Sequence, residues 1–217
     1  MQTNYKNNAE LEYWKKRFLA EGNSFQNSWY KKHMLDMVRA DEAFFENKII
    51  ADFGCGPRGS LEWIDNSKMN IGIDVNVGLY ADNFKDKFLD KNMFYIQSTE
   101  HTIPLQSEYV DILFTMNALD HVDNLYEMSL ELIRILKPEG TFAAYFNLEE
   151  PVSACEPQCL TEELLETVLL SKLDVIEYKT AIVPPAPNTR YDALHNSGFE
   201  AYTKGREGVL WILATKK

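Results

Sequence analysis

The stretch from residue 49 to residue 64 constrains the fold more than any other part of the chain. Residues 49–53 form an apolar run with one carboxylate, which is typical of a short buried strand. A turn with glycines at positions 54, 56 and 59 follows, and the amphipathic segment 61–64 comes next. Glycine lets the backbone bend sharply and approach a bound molecule without a Cβ in the way. Strand, turn and helix start together predict a ligand site, where free amides favour anionic or carbonyl groups.

Two carboxylates near the glycine turn indicate what kind of ligand the predicted site binds. Asp52 lies at the end of the first apolar run, and Asp74 lies in a second run, residues 71–75. An acid at the tip of the second strand is positioned to hold the two hydroxyls of a ribose. The glycine turn alone leaves the ligand open, because dinucleotide, nucleotide and phosphate sites all use one.

Apolar runs and helical patterns alternate along most of the chain, which predicts a parallel sheet with helices on both faces. The last two strands have no helical pattern between them, so we expect them to pair antiparallel. The predicted strands are 49–53, 71–75, 93–97, 109–116, 141–147, 173–183 and 208–215. The predicted helices are 9–20, 28–46, 78–90, 124–137 and 161–171.

Four segments of the sequence resemble motifs of one enzyme family. Asp52-Phe53-Gly54-Cys55-Gly56-Pro57 resembles motif I of the class I S-adenosylmethionine-dependent methyltransferases, and Asp74 stands where that family places its ribose-binding acid. The segments 98–105, 117–122 and 131–140 are similar to three later motifs of the family, in the same order. Arg58 departs from the pattern, since a glycine often falls at its position. The resemblance covers residues 49–148.

The resemblance implies a fold and a cofactor. The fold is an α/β, Rossmann-like doubly wound sheet, mostly parallel, of about seven strands with the last antiparallel, plus N-terminal helices. The cofactor is S-adenosylmethionine, which leaves as S-adenosylhomocysteine. The implied cofactor contacts are Asp52, Gly54, Cys55, Gly56 and Gly59 for the methionine part, Asp74 and Val75 for the ribose and the adenine edge, Thr99 and Glu100 for the adenine, and Asn117 beneath it. Glu100 lies one place later than the family's adenine-binding acid.

His121 is the candidate catalytic residue. Imidazole titrates near neutral pH, so His121 could accept a proton from the acceptor. Alternatively His121 only packs where the fourth strand meets the next helix. Alignment of nucleophile, methyl group and sulfur supplies much of the rate in such a transfer, so a general base is not essential. We expect no metal site, since Cys155 and Cys159 have no second pair of ligands nearby.

The acceptor is expected to approach the same edge of the sheet as the cofactor. The segment 184–207 is long for a connection between two strands, and its entry is stiffened by prolines. We predict that it closes over the acceptor as a lid, with Glu149, Tyr191 and His195 as contacts. The alternative is a surface excursion unrelated to the substrate. The N-terminal helices also lie near this edge in the family, so Trp14 and Phe18 either contact ligand or only pack on the domain.

Length and charge bound the remaining properties. At 217 residues the chain is predicted to be a single methyltransferase domain, 1–217, with a helical cap over 1–47 and the α/β core over 48–217. The net charge of −11 weighs against a nucleic-acid partner. Neither a membrane span nor a secretory segment is evident, and three cysteines fit a reducing compartment, so a cytoplasmic protein is expected. The oligomeric state is left open.

These features predict an enzyme that moves a methyl group from S-adenosylmethionine to an oxygen or nitrogen atom of a small-molecule acceptor. Two other functions use the same motifs. One is a non-catalytic module that binds S-adenosylmethionine, and the other is an NAD-dependent oxidoreductase. The embedded Asp52 and the predicted terminal strand pair weigh against the oxidoreductase.

Overall fold

Seven strands form one sheet in the computed structural model, which describes residues 2–89 and 92–217. They are β1 (Ile49–Phe53), β2 (Met69–Asp74), β3 (Phe94–Gln97), β4 (Val110–Met116), β5 (Leu136–Leu148), β6 (Leu173–Ile182) and β7 (Gly208–Lys216). The strand order is β3-β2-β1-β4-β5-β7-β6. Strands β1 to β5 pair in parallel, while β7 runs antiparallel to both β5 and β6. The predicted α/β fold class is confirmed.

Helices cover both faces of this sheet. They are α1 (Gln2–Ala20), α2 (Trp29–Val38), α3 (Val77–Phe84), α4 (Asp86–Leu89), α5 (Leu125–Ile135), α6 (Glu162–Val168) and α7 (Arg190–His195). Residues of α5 and α6 pack on one face of β1 and its neighbours. Residues of α2 and α7 pack on the other face, around the buried Trp211. A smaller apolar cluster joins α1 to α3. The described helices include none that is both long and apolar enough to span a membrane.

The path of the chain places a crevice at the C-terminal ends of β1 and β4. From β1 the chain moves to β2 and β3 on one side, and it then returns to β4 and β5 on the other side. Ligands of doubly wound sheets bind where the strand order reverses in this way. All five residues of β1 are buried, so the strand presents its C-terminal end to that crevice from a fixed position.

Two helix predictions differ most from the structure. Helix α1 begins at Gln2 rather than at residue 9, and the buried Lys6 anchors its first turns. The segment 61–64 after the glycine turn forms a turn and not an α-helix, and its Leu61 and Ile64 side chains are buried. There the side-chain amides of Asn70 and Asn92 donate to the Ile64 carbonyl, which a helix would need as its own acceptor.

The remaining boundaries differ by smaller amounts. The predicted helix 28–46 is α2 followed by a separate 3-10 turn over Glu42–Phe45. The predicted helix 78–90 is α3 plus α4, and its predicted last position, residue 90, lies outside the described residues. Helix α7 was missed; Thr189 and Asp192 cap its first turn reciprocally. Asn124 and Thr161 cap α5 and α6 at the predicted helix starts.

Candidate functional site

A cavity of about 570 Å³ opens at the C-terminal ends of β1, β2 and β4. Helix α1 forms its opposite wall, with Trp14 and Glu10 facing the sheet edge. Ten of the eleven predicted cofactor and catalytic residues line it, namely Asp52, Gly54, Cys55, Gly56, Asp74, Val75, Thr99, Glu100, Asn117 and His121. Gly59 is the exception. The fold thus brings residues from positions 52 to 121 into one enclosure.

Asp52 is a buried carboxylate with one oxygen free to bind a ligand. Its Oδ2 accepts a hydrogen bond from the Ser60 hydroxyl, whereas Oδ1 is buried without a partner in the described protein. Burial raises the pKa of Asp52 to about 7, the charge of Asp74 adds to the rise, and the Ser60 hydrogen bond opposes it. A cationic group at Oδ1 would offset the cost of burying this charge.

Asp74 is held by the backbone of the glycine turn. Its Oδ2 accepts from the Gly56 amide at 3.0 Å, and its Oδ1 accepts from the Asn76 amide at 2.8 Å. Burial raises the pKa of Asp74 to about 6, although these two hydrogen bonds counteract the rise. An ionised carboxylate has about four acceptor positions, so two remain for hydroxyl donors. The backbone therefore fixes Asp74 before any ligand binds.

The glycines at 54 and 56 are required by their protein neighbours as well as by any ligand. Both have positive φ, +73° and +56°. A Cβ on Gly54 would lie 2.2 Å from the Ala118 Cβ, and a Cβ on Gly56 would lie 2.8 Å from the Trp14 ring. The turn thus packs against the segment after β4 on one side and against α1 on the other.

Arg58, which departs from the family pattern, ties the glycine turn to the helical cap. Its buried guanidinium pairs with Glu21, donates to the Gln26 carbonyl and lies over the Trp14 ring at 5.4 Å. These contacts hold the connection between α1 and α2 against the turn. The departure therefore has a structural reason, and Arg58 also lines the cavity.

A lysine near the start of α1 closes another side of the cavity. Lys6 Nζ donates to Glu100 at 3.0 Å, to Asp123 at 2.8 Å and to the His121 carbonyl at 2.9 Å. The other Glu100 oxygen, Oε1, is buried without a partner in the described protein. Thr99 is occupied by its own turn, where its hydroxyl accepts from the amides of His101 and Thr102. Glu100 therefore has the freer acceptor of the two predicted adenine contacts.

Asn117 lies at the junction of β4 and the following turn. Its backbone is left-handed, with φ of +50°, and its Oδ1 accepts from the Asn147 amide at 3.2 Å. This bond ties the end of β4 to the end of β5. The conformation is one that asparagine tolerates better than most side chains.

His121 is surrounded by carboxylates. Glu10 Oε2 lies 4.0 Å from Nδ1, while Asp120 Oδ2 and Glu156 Oε1 each lie 3.9 Å from Nε2. Asp120 is 3 % exposed, and neither of its oxygens has a hydrogen-bond partner in the described protein. Burial raises the pKa of Asp120, and the neighbouring His121 opposes the rise. The sequence analysis named His121 but not Asp120, its neighbour in the chain, nor Glu156, which comes from a distant segment.

Four predicted residues lie outside the large cavity. Gly59 accepts a hydrogen bond at its carbonyl from the Asn27 side chain, and Glu149 accepts hydrogen bonds from the Tyr202 hydroxyl and the Gly205 amide. Tyr191 and His195 line a separate small cavity of about 20 Å³, next to α2. The placement expected for these acceptor contacts is therefore wrong for the conformation observed, and their function as contacts stays a prediction.

Aromatic side chains of the cavity wall were also missed, apart from Trp14. They are Tyr13, Trp29, Tyr30, Tyr80 and Tyr145. Tyr145 lies in β5 and lines both cavities, so it separates the large one from the α7 region. Periodicity marks such residues as buried but does not distinguish a cavity wall from a packed core. Phe18, by contrast, packs on Phe25 and Phe84.

Comparison with known proteins finds similarity over the central part of the chain. A family model described as a methyltransferase domain matches residues 51–144. A malonyl-acyl-carrier-protein O-methyltransferase from Enterobacter lignolyticus is 32% identical over 95 residues, which are 43% of this chain and 37% of that protein. The match therefore spans well under half of that relative.

Solved structures share the fold over most of the chain. The cyclase SpnF superposes with a TM-score of 0.62 at 18% identity, covering 89% of this chain and 82% of that one. An S-adenosylmethionine-dependent methyltransferase from Aquifex aeolicus gives 0.55 at 18% identity, covering 89% and 100%. At these identities the likeness concerns the fold. Residues 51–144 are therefore similar to a methyltransferase domain, and the motif residues within that segment are assembled around one cavity.

Proposed function

We propose that this protein transfers the methyl group of S-adenosylmethionine to an oxygen or nitrogen atom of a small molecule. One observation carries the proposal: the two buried carboxylates, Asp52 and Asp74, open into the same cavity as His121. A cofactor site and a group able to receive a proton thus share one enclosure. The O-methyltransferase activity in the name of the Enterobacter lignolyticus relative supports an oxygen acceptor.

The buried polar atoms of the cavity fit the family's cofactor. Asp52 Oδ1 suits the ammonium of an amino acid, since it is an unpaired carboxylate oxygen in a buried site. Asp74 has acceptor capacity left for the ribose hydroxyls, and Glu100 Oε1 can accept from the adenine amino group. When bound, S-adenosylmethionine supplies an electrophilic methyl group on a positively charged sulfur.

The protein's own contribution is enclosure and alignment. Helix α1 covers the cavity through Trp14 over the glycine turn and through Lys6 near His121. Such a cover limits the access of water, which would compete as an acceptor and screen the charges. A cavity of about 570 Å³ has the size of a small-molecule site, which supports a small acceptor.

A mass-spectrometric screen tests this function. Purified protein is incubated with methyl-labelled S-adenosylmethionine and a panel of hydroxylated and amine metabolites, and labelled products are sought. We expect at least one labelled acceptor, with no labelling by Asp74→Ala. Cofactor binding without any labelled product across the panel would support the non-catalytic module instead, and NAD binding without S-adenosylmethionine binding would support the oxidoreductase.

A further inference from the structure

A second candidate site lies where the 3-10 turn Leu119–His121 meets residue 156. His121 and Glu156 also line the large cavity. Three ligand-type atoms meet there: Asp120 Oδ2, His121 Nε2 and Glu156 Oε1, all within 4.8 Å of one another. The two carboxylate oxygens are each 3.9 Å from the imidazole nitrogen. These separations are too long for hydrogen bonds, so the groups face a common centre without bonding to one another.

The charge at this centre is unbalanced. Asp120 is 3 % exposed and both of its oxygens lack partners in the described protein. Among the described residues, no lysine or arginine pairs with Asp120 or Glu156, and Lys6 nearby is already engaged by Glu100 and Asp123. A buried carboxylate that accepts no hydrogen bond is costly. Besides the His121 imidazole, no cationic side chain among the described residues lies within ion-pair distance of these two carboxylates.

The spacing suits a metal ion. Three atoms this far apart leave a central point about 2.3–2.5 Å from each, within a few tenths of an ångström of usual metal–ligand distances. One imidazole nitrogen with two carboxylate oxygens is a mixed donor set, which favours Mn²⁺ or Zn²⁺ over the all-oxygen sites of Mg²⁺.

Neighbouring groups hold the Glu156 side chain and the backbone at Asp120 in place. Glu156 Oε2 accepts from the Ser153 hydroxyl at 3.0 Å, which leaves Oε1 facing His121. Gln158 donates through its amide to the Asp120 carbonyl and through its side chain to the Val122 carbonyl. The segment that carries Glu156 is thereby fastened to the turn that carries Asp120. Outer contacts of this kind orient metal ligands.

We propose that Asp120, His121 and Glu156 bind one divalent transition-metal ion at the acceptor end of the cavity. The ion has open coordination positions toward the cavity, which His121 and Glu156 line. This inference deepens the proposed function and in part rests on it: an acceptor hydroxyl is the ligand expected at such a position. With the ion bound, His121 serves as a ligand; without the ion, it remains the proton acceptor of the proposed function.

Metal binding can be measured without any acceptor. EDTA-treated protein is titrated with Mn²⁺ alone, and the loss of the free-ion signal in electron paramagnetic resonance counts the bound ions. We expect one Mn²⁺ per chain, bound at least about tenfold more weakly by Asp120→Asn and by Glu156→Gln. Glu127→Gln is the matched control, since Glu127 pairs with the exposed His101 at 2.6 Å away from the cavity.

A second readout covers the case in which a variant folds poorly. Zn²⁺ should raise the melting temperature of the wild type and of Glu127→Gln but not that of Glu156→Gln. Wild type that binds no stoichiometric Mn²⁺, or Glu156→Gln that binds it as tightly as wild type, would overturn the site. Calorimetry of S-adenosylmethionine with the EDTA-treated wild type separates the two proposals. The proposed function predicts that the cofactor binds to this metal-free protein, whether or not the metal site exists.

Discussion

Two buried carboxylates, Asp74 and Asp120, differ in how many hydrogen bonds the protein donates to them. Asp74, at the end of β2, accepts hydrogen bonds from two backbone amides. Asp120, in the turn after β4, accepts none at either oxygen from the described protein. The pKa of each is raised by burial. The backbone therefore holds Asp74 in place before a ligand binds, whereas Asp120, like Asp52 Oδ1, has unmet bonding capacity that a ligand can fill.

The largest effect on stability is expected from a substitution that forces the glycine turn away from the turn after β4. Gly54→Ala places a Cβ 2.2 Å from the Ala118 Cβ, and Ala118 directly precedes the turn that carries Asp120. We expect a loss of about 3 kcal/mol or more in the free energy of unfolding, from overpacking and a strained φ together. Urea denaturation measures it.

Gly22→Ala is the matched control for this steric effect. Gly22 has a similar φ of +76°, but a Cβ there would meet nothing within 4 Å. It should cost only about 1 kcal/mol, from the backbone conformation alone. Equal losses in the free energy of unfolding for the two variants would show that the glycine turn and the turn after β4 are not coupled through the contact between Gly54 and Ala118.

The cofactor end should respond to pH through Asp52. Its pKa of about 7 exceeds that of an unfolded aspartate, so between about pH 4 and 7 the folded protein holds a proton that the unfolded chain has released. Asp52 should therefore make cofactor-free stability fall as pH rises through this window, by about 1.4 kcal/mol per pH unit at most. Asp74 and Asp120, whose pKa values burial also raises, act in the same direction. Asp52→Asn should therefore have a shallower profile than the wild type, and identical profiles for the two would contradict the buried, unpaired state of Asp52.

Affinity for S-adenosylmethionine should change in the opposite direction. The ammonium contact proposed for Asp52 needs the ionised carboxylate, so affinity should weaken about tenfold between pH 7.5 and pH 6. Calorimetry at both pH values checks this. The same dependence in Asp52→Asn would assign it to another group.

The smallest effect is expected for Tyr191→Phe, which tests the lid predicted over 184–207. The Tyr191 hydroxyl bonds to Asp36 and Lys32, and its ring stacks on His33 at 3.8 Å, all outside the large cavity. We expect stability within about 1 kcal/mol of wild type, as for other surface polar contacts. Turnover, measured with an acceptor found in the screen, should stay within twofold. A large loss of turnover would support the prediction that the segment 184–207 closes over the acceptor.

The sequence was sufficient to predict the sheet and to predict residues that line one cavity, because both depend on local order. Asp52, the glycines and Asp74 follow one another along two strands, so their spacing alone brings them together. The acceptor end is assembled from α1, the turn after β4 and the segment around Glu156, which lie far apart in the chain. Its geometry depends on how α1 folds back over the sheet, and no spacing rule contains that information. The glycine turn also misled, since the helix expected after it is replaced by a buried turn around Leu61.

A calorimetric titration with S-adenosylmethionine tests the central claim most directly. The wild type should bind at one site per chain and show no heat with NAD. Asp74→Ala should bind at least about tenfold more weakly, because hydrogen bonds to a charged group contribute about 1.5–3 kcal/mol each. Asp82→Ala, which removes an exposed carboxylate in α3, should bind as the wild type does. No binding of S-adenosylmethionine by the wild type, or undiminished binding by Asp74→Ala, would contradict the account.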